Sequence, residues 1–565
     1  MLRSSRWVLP TLLAALSGAS RTLHAQWQSN TGSAGAALGA TVGGDVERYL
    51  RALILSGVIE SLPWAVRPFG PSDVRAVIMD SSQKAHPWRT GLRVASGRAA
   101  TLGAMGFVSA NTGFAWGAND GALWQGRGLT VAGGVAASTR WGPFSAVAAP
   151  VAFLAQNADI PRLLPSPTGS NGDPLFYNNV DLPLEMGAKA YGRIDPGEST
   201  LRLDLGSAVL GISSASLGWG VGDAFPALFG PNAGGFSHIF AGTKGRGLRI
   251  PRIGKFSGRY VLGVLEQTRW SPVQGSESYL SAEQPGTRRL ATGLVVSFMP
   301  ALLSNLELGA NRFYHSPYLS GGERWAAWSR PFDGIFKESL PPRIGPVGEQ
   351  NGDLDNQMAS FFARLVFPGR GVEAGFELFR EDYNWDLRDL AQEPENNSAV
   401  IATLHAMTER RADRLSVLSL EYFDGNVRPI AQARGQGALY VHGTLRQGHT
   451  QRGQLLGSPV GVGAIGGSRI SWERFTPSGS LRIMAQRWRP RSSFQGTRGD
   501  GLYPPADQPI AYAKYHDWII DGSVASTQYR GRSIISAEVG LAWAGVWQLT
   551  ERRTNLYARI SVGAF

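Results

Sequence analysis

The chain has no cysteine in its 565 residues. That excludes a disulfide framework, and it removes thiolate from the possible nucleophiles and metal ligands. After the first twenty or so residues there is also no apolar run of the ~18 residues that a membrane-spanning helix needs, so helical spans are excluded. Lys/Arg runs are missing as well, although the formal net charge is +12. So diffuse an excess argues against nucleic acid and suits polyanions at a cell surface, such as lipopolysaccharide or acidic polysaccharide.

Catalytic signatures are equally scarce. There is no P-loop, no G-x-S-x-G elbow and no H-E-x-x-H. GVGAIG (Gly461–Gly466) fits G-x-G-x-x-G as a string, but it leads toward the strand-like SRISWERF and not into a helix, so loop glycines are the better reading. His238, His315, His405, His442, His449 and His516 are scattered without ligand spacing. NGDLDN offers Asp353 and Asp355 but lacks the Glu that completes an EF-hand loop. The sequence therefore predicts no enzyme, no metal site and no cofactor.

What is present begins with an address. Arg3 and Arg6 precede the apolar run Trp7–Ala19, and small residues lead to Leu23-His24-Ala25. This is the layout of a secretory signal peptide over residues 1–25, too short to span a bilayer. Residues 26–97 read as a flexible lead and two short helices, a small periplasmic element. Asp45 is placed to cap the first helix, DVERYLRALILSG, and Ser72 the second, SDVRAVIMD.

From residue 98 the period changes from 3.6 to 2. Leu201, Leu203 and Leu205 alternate with Arg202 and Asp204, and Leu306 and Leu308 with Glu307 and Gly309. Val372, Ala374, Phe376 and Leu378 alternate with Glu373, Gly375 and Glu377, and Ile535–Trp543 repeats the pattern around Glu538. Strands with one apolar and one polar face follow. A soluble sandwich array would alternate too. Long strands, mid-strand carboxylates, 72 glycines and 17 tryptophans favour instead an all-β transmembrane antiparallel barrel of 16–20 strands over residues 98–565. The last strand, LYARISVGAF, ends on Phe565 and resembles the signal read by the barrel assembly machinery. Ser271–Arg288, Ser316–Asn356 and Trp488–Ile510 read as extracellular loops.

Three stretches carry possible recognition chemistry. EDYNWDLRDL (Glu381–Leu390) mixes Tyr383 and Trp385 with acids including Asp386; rings to stack on sugars and carboxylates to take hydroxyls are the equipment of a glycan site. QRWRPR (Gln486–Arg491) interleaves Trp with Arg and suits an anionic polymer or a lipid phosphate, or equally a plain interfacial position. GWGVGDAFPALFGPNAGGF (Gly218–Phe236) packs glycines around Trp219, Asp223 and Asn232. No helix follows to make it a phosphate loop, so its glycines serve a strand exit or a segment folded into the lumen.

These stretches, with GHTQRGQLLGSPVGVGA (Gly448–Ala464), resemble the Wzi family of capsule assembly proteins: a W-G-x-G stretch leading to an Asn, an acidic strand exit, then a G-x-x-L-G-x-P-x-G turn. The resemblance implies a monomeric outer-membrane barrel of about 18 strands that acts without catalysis as a lectin-like attachment point for capsular polysaccharide. On that reading Trp219, Asp223, Asn232, Tyr383, Trp385 and Asp386 are the expected polysaccharide contacts, with Trp219 and Asn232 alternatively bracing the lumen. The rival reading is a channel for small solutes, to which lumen-facing charges are also suited; an outer-membrane hydrolase is the weakest.

Overall fold

A computed structural model describes residues 39–564 apart from 82–83, 90–100, 161–179, 184, 272–287, 319–326, 335, 340–341, 346–347, 352–354, 383, 385, 393, 396, 426–438, 443–444, 446, 464, 492–516, 531–532 and 546–552. The expected signal segment, most of the expected outer loops, Tyr383, Trp385 and Phe565 lie outside the described residues.

The alternating segments form eighteen antiparallel strands closed into one barrel. They are β1 (Thr101–Asn111), β2 (Gly128–Trp141), β3 (Phe144–Ala148 and on through Val151–Ala155), β4 (Tyr191–Asp195 and Thr200–Leu205), β5 (Ala208–Ser213) and β6 (Ser237–Thr243 and Leu248–Ile250). Then come β7 (Gly254–Glu266), β8 (Arg288–Pro300), β9 (Leu306–Pro317), β10 (Asn356–Phe367), β11 (Val372–Glu381) and β12 (Ser398–Arg411). The last third is β13 (Arg414–Gly425), β14 (Ile465–Thr476), β15 (Gly479–Arg491), β16 (Asp517–Arg530), β17 (Ser533–Gly545) and β18 (Arg553–Ala564). Each pairs with the next, and β1 pairs with β18 through registers such as Val108↔Ile560. Closure leaves no unpaired edge, which a strand wall in lipid requires.

Alternation sorts the side chains. Phe361 is 68% exposed and Val539 56%, while Glu377 and Arg289 on the opposite faces of their strands are fully buried. An apolar outer face on a closed wall is the surface of a membrane-spanning barrel. Aromatic residues mark its two ends: Trp518 meets Trp543 at 4.3 Å near one, and Phe256 stacks on Phe298 at 4.5 Å near the other.

The connections are unequal. At one end the turns are tight, such as Arg411 to Arg414 and Thr476 to Gly479; at the other they run from seven to some forty residues, such as Gly545 to Arg553 and Gly425 to Ile465. Two helices enter the short-turn mouth. Helix α1 (Asp45–Leu55) buries ten of its eleven residues, and packs Tyr49 and its leucines against Trp88, Val366, Leu415 and Phe475. Its cap differs from the expected one. Gly44 holds the N-cap position without a side-chain bond, while Asp45 lies in the first turn, where its charge complements the helix dipole and pairs with Arg48. Helix α2 (Pro71–Ser81) starts with proline at its first position, so Ser72 is inside the turn and its hydroxyl donates to Asp204 at 2.8 Å.

The Gly218–Phe236 stretch, between β5 and β6, folds into the lumen, where nearly every residue is buried. It forms the centre of the largest apolar cluster, with Phe225, Leu228 and Phe229 against wall residues such as Val295 and Phe313. An all-round apolar run with glycines, unlike the alternating strands, has no side left for solvent.

Candidate functional site

Polar residues on the inner wall mostly hold the lumenal segments in place. Glu421 on β13 accepts the backbone N–H groups of Ala224 (2.9 Å) and Phe225 (2.7 Å). Glu377 on β11 accepts from Val221 N at 2.9 Å, and Glu307 on β9 from Trp64 N at 2.8 Å. Arg289 on β8 donates to the carbonyls of Gly448 and Thr450, drawing in the 448–450 segment. Carboxylates and guanidinium groups used as backbone anchors are satisfied charges, the condition under which charge is tolerated away from water.

Asp223 is the centre of this arrangement. Its carboxylate pairs with Arg51 of α1 and with Arg67 at 3.0 Å, and His405 of β12 stands at 3.6 Å. Burial alone would raise the Asp223 pKa, but Arg51 and Arg67 outweigh that and hold it well below the usual carboxylate range. Arg51 in turn lies over the Trp64 ring at 4.5 Å and reaches Glu373 at 3.3 Å. The part of Asp223 left uncovered opens onto an internal cavity of about 180 Å³ that Arg48, Glu473, Arg482 and Glu538 also line. N-terminal helix, lumenal stretch and wall are thus clasped through one carboxylate.

Above this plug, at the long-connection end, is a second cavity of about 210 Å³. Its walls come from the β1–β2 connection (Phe114, Trp116, Trp124), from β15 (Trp488) and from the 453–461 segment. Trp116 and Trp488 lie 4.6 Å apart, and Phe114 meets Trp116 edge-on at 6.0 Å. The indole N–H groups of Trp124 and Trp488 are buried without a hydrogen-bond partner among the described residues. Gln454 ties the rim together, donating to the carbonyls of Gly121, Leu123 and Asn232 at 3.2 Å each. An apolar ring-lined hollow with a few polar groups is the usual form of a small-ligand site.

This barrel, plugged from the short-turn side and walled by eighteen strands, superposes on Wzi, an Escherichia coli outer-membrane protein involved in group 1 capsule assembly and described as a carbohydrate-binding β-barrel. The TM-score is 0.58, covering 92% of this chain and 97% of that one at 12% identity. The chain has the Wzi fold. OprD of Pseudomonas aeruginosa, an outer-membrane protein, aligns with a TM-score of 0.38, 8% identity and 83% of this chain. No family model and no curated protein matches the sequence.

On the Wzi fold, the residues singled out from sequence take different places. Trp219 is fully buried, edge-on to Phe229 at 4.9 Å, and a Cβ on Gly293 of the wall would fall 2.9 Å from its ring, so wall and indole are fitted to each other. Its indole is enclosed by these neighbours, the arrangement of the lumen-bracing alternative. Asn232 donates to Leu455 O at 2.8 Å and accepts from Asn119 N at 3.3 Å, a brace between three segments. Asp223 is the clasp. Asp386 accepts from Asp389 N at 2.7 Å at the start of the short helix α3 (Leu387–Gln392), a capping role. Asp355, from the possible calcium loop, pairs with Arg330 at 2.7 Å.

The cavity residues Trp116 and Trp124 escaped the sequence reading, because they lie in a stretch of unremarkable pattern that only the closed barrel brings to the cavity; Gln454 lay within the Gly448–Ala464 motif without being singled out. Trp488 was visible within QRWRPR, but its inward side was not.

Two expected outcomes follow from this geometry. Trp219→Ala empties a filled core position and lowers stability by about 3–5 kcal/mol, read as the temperature at which the folded band is lost in heat-modifiable electrophoresis. Glycan retention by the fraction that stays folded is unchanged. The second concerns Asp181, beside the mouth, which accepts from Thr268 N (2.9 Å) and Gly453 N (3.1 Å). Burial pushes its pKa up to about 7, more than those N–H groups and Arg289 lower it. The folded state therefore takes up the proton more readily than the unfolded chain. The Asp181 contribution to stability rises as pH falls from 8 toward 5 and is lost as pH climbs through 7. Asp181→Asn removes this component of the pH dependence of thermal unfolding.

Proposed function

We propose that the protein is a non-catalytic outer-membrane barrel that binds surface polysaccharide in its extracellular mouth and helps attach or organise it at the cell surface. The carrying observation is the hollow of Phe114, Trp116, Trp124 and Trp488 above a filled lumen. Indole faces are apolar platforms for sugar rings. In this reading the long connections face outward and the short turns and helices α1 and α2 face the periplasm, as is general for such barrels.

Support also comes from the Wzi fold, and from the use of wall charges as anchors. A solute channel needs those charges on an open path, whereas here Glu307, Glu377 and Glu421 are spent on backbone N–H groups. Expected contacts are Trp124 and Gln454; Tyr383 and Trp385, proposed from the sequence, lie outside the described residues. The purified barrel is expected to retain capsular or other acidic surface polysaccharide on an immobilised glycan array and to give no conductance steps in a planar bilayer. A barrel that conducts and retains no glycan overturns the proposal in favour of a channel.

A further inference from the structure

The QRWRPR motif splits across the wall: Trp488 points into the mouth cavity, while Arg487 and Arg489 point outward near the long-connection end of β15. Register places the outward residues in rows. Tyr422 pairs with Ser468, Ser468 with Arg487, and Arg487 with Ile520; the next row inward is Leu420, Ile470, Ala485 and Gly522. Ser468 and Ala485 are small beside Tyr422, Leu420, Ile470 and Ile520, and leave a furrow among these bulkier side chains. This external furrow has a volume of about 610 Å³ and an apolar lining.

The rim of the furrow is cationic. Arg489 pairs with Asp424 at 3.1 Å, and the Tyr422 hydroxyl donates to the same carboxylate at 3.1 Å. Arg487, which is exposed, has no ion-pair or hydrogen-bond partner among the described residues. Two guanidinium groups against one carboxylate leave a net positive charge where the apolar belt meets the headgroup region. The separation of polar and apolar parts matches an amphiphile with an anionic head.

We propose that this furrow is a specific site for a phosphorylated lipid of the outer leaflet. An acyl chain lies along Ser468 and Ala485, and a headgroup phosphate is held by Arg487 with Arg489 beside it. Guanidinium groups suit phosphate because their planar fork can donate two hydrogen bonds to it. The proposal rests only on the barrel being in a membrane, and it stands or falls independently of glycan binding.

Native mass spectrometry of the full-length barrel in detergent, titrated with bis-phosphorylated lipid A, tests it. The wild type is expected to hold one lipid, at least tenfold more tightly than the Arg487→Gln variant and than an Ala485→Phe variant that fills the furrow. Lipid A stripped of its phosphates should bind at least tenfold more weakly to the wild type. Both substitutions are on the outer face, and heat-modifiable mobility verifies that each barrel is closed. Equal retention by either variant, or equal binding of the dephosphorylated lipid, overturns the proposal.

Discussion

Replacing Asp223 and Glu421 together with alanine is expected to turn a silent barrel into a conducting one. Asp223 holds α1 through Arg51 and the 66–67 segment through Arg67, and Glu421 holds the backbone of residues 223–225. Removing one partner of a buried ion pair destabilises by about 3–5 kcal/mol, because the remaining charge is left without compensation. Here Arg51 is left with Glu373 and Arg67 with Glu47, and the lumenal stretch keeps only Glu377 of its carboxylate anchors on the wall. The wall keeps its strand pairing, so the folded band in heat-modifiable electrophoresis should persist while planar bilayers show porin-like steps and α1 becomes sensitive to protease. Silence from a folded double variant would show that packing alone keeps the lumen shut. Since the Asp223 pKa is depressed, its contribution is present above the ordinary carboxylate range and is lost only as pH falls below it. Wild-type protein is accordingly expected to remain silent down to about pH 4.

The second large effect concerns the mouth. Trp124→Ala is expected to weaken polysaccharide retention at least tenfold, about 1.4 kcal/mol or more, with little change in thermal unfolding. Trp124 is only partly covered, whereas Trp116 and Trp488 are packed against each other and against the lumenal core. Trp116→Ala therefore combines a binding loss with about 3–5 kcal/mol of lost stability and makes the poorer test. Unchanged retention by folded Trp124→Ala would remove the cavity from consideration and return attention to the contacts proposed from the sequence at Tyr383, Trp385 and Asp386.

How much of this was legible in the sequence depends on the range of the contacts. Period-2 alternation is local, so Leu201 against Arg202 and Phe376 against Glu377 announced a wall with unlike faces. What the inward glutamates do was not legible, because an anchor is defined by its partner: Asp223 meets Arg51 from 172 positions away and Arg67 from 156. The same limit hid the pairing of Trp116 with Trp488. In the Gly218–Phe236 stretch the cue was a glycine-rich run with no helix after it, which left a strand exit or a place in the lumen open.

The way the barrel closes bears on the order in which it can be made. Asn111 on β1 bonds Asn555 across a separation of 444 residues, so the wall cannot seal until the last strand is in place. The side-chain hydrogen bonds and ion pairs described above from the Gly218–Phe236 stretch and α1 to the wall, by contrast, end on β11 to β14, all of which precede that strand in the chain. The interior can therefore form first, with the sheet curling around it like a sleeve around a mandrel. Glu307, Glu377 and Glu421 would then set the curvature of the sheet before they hold anything shut.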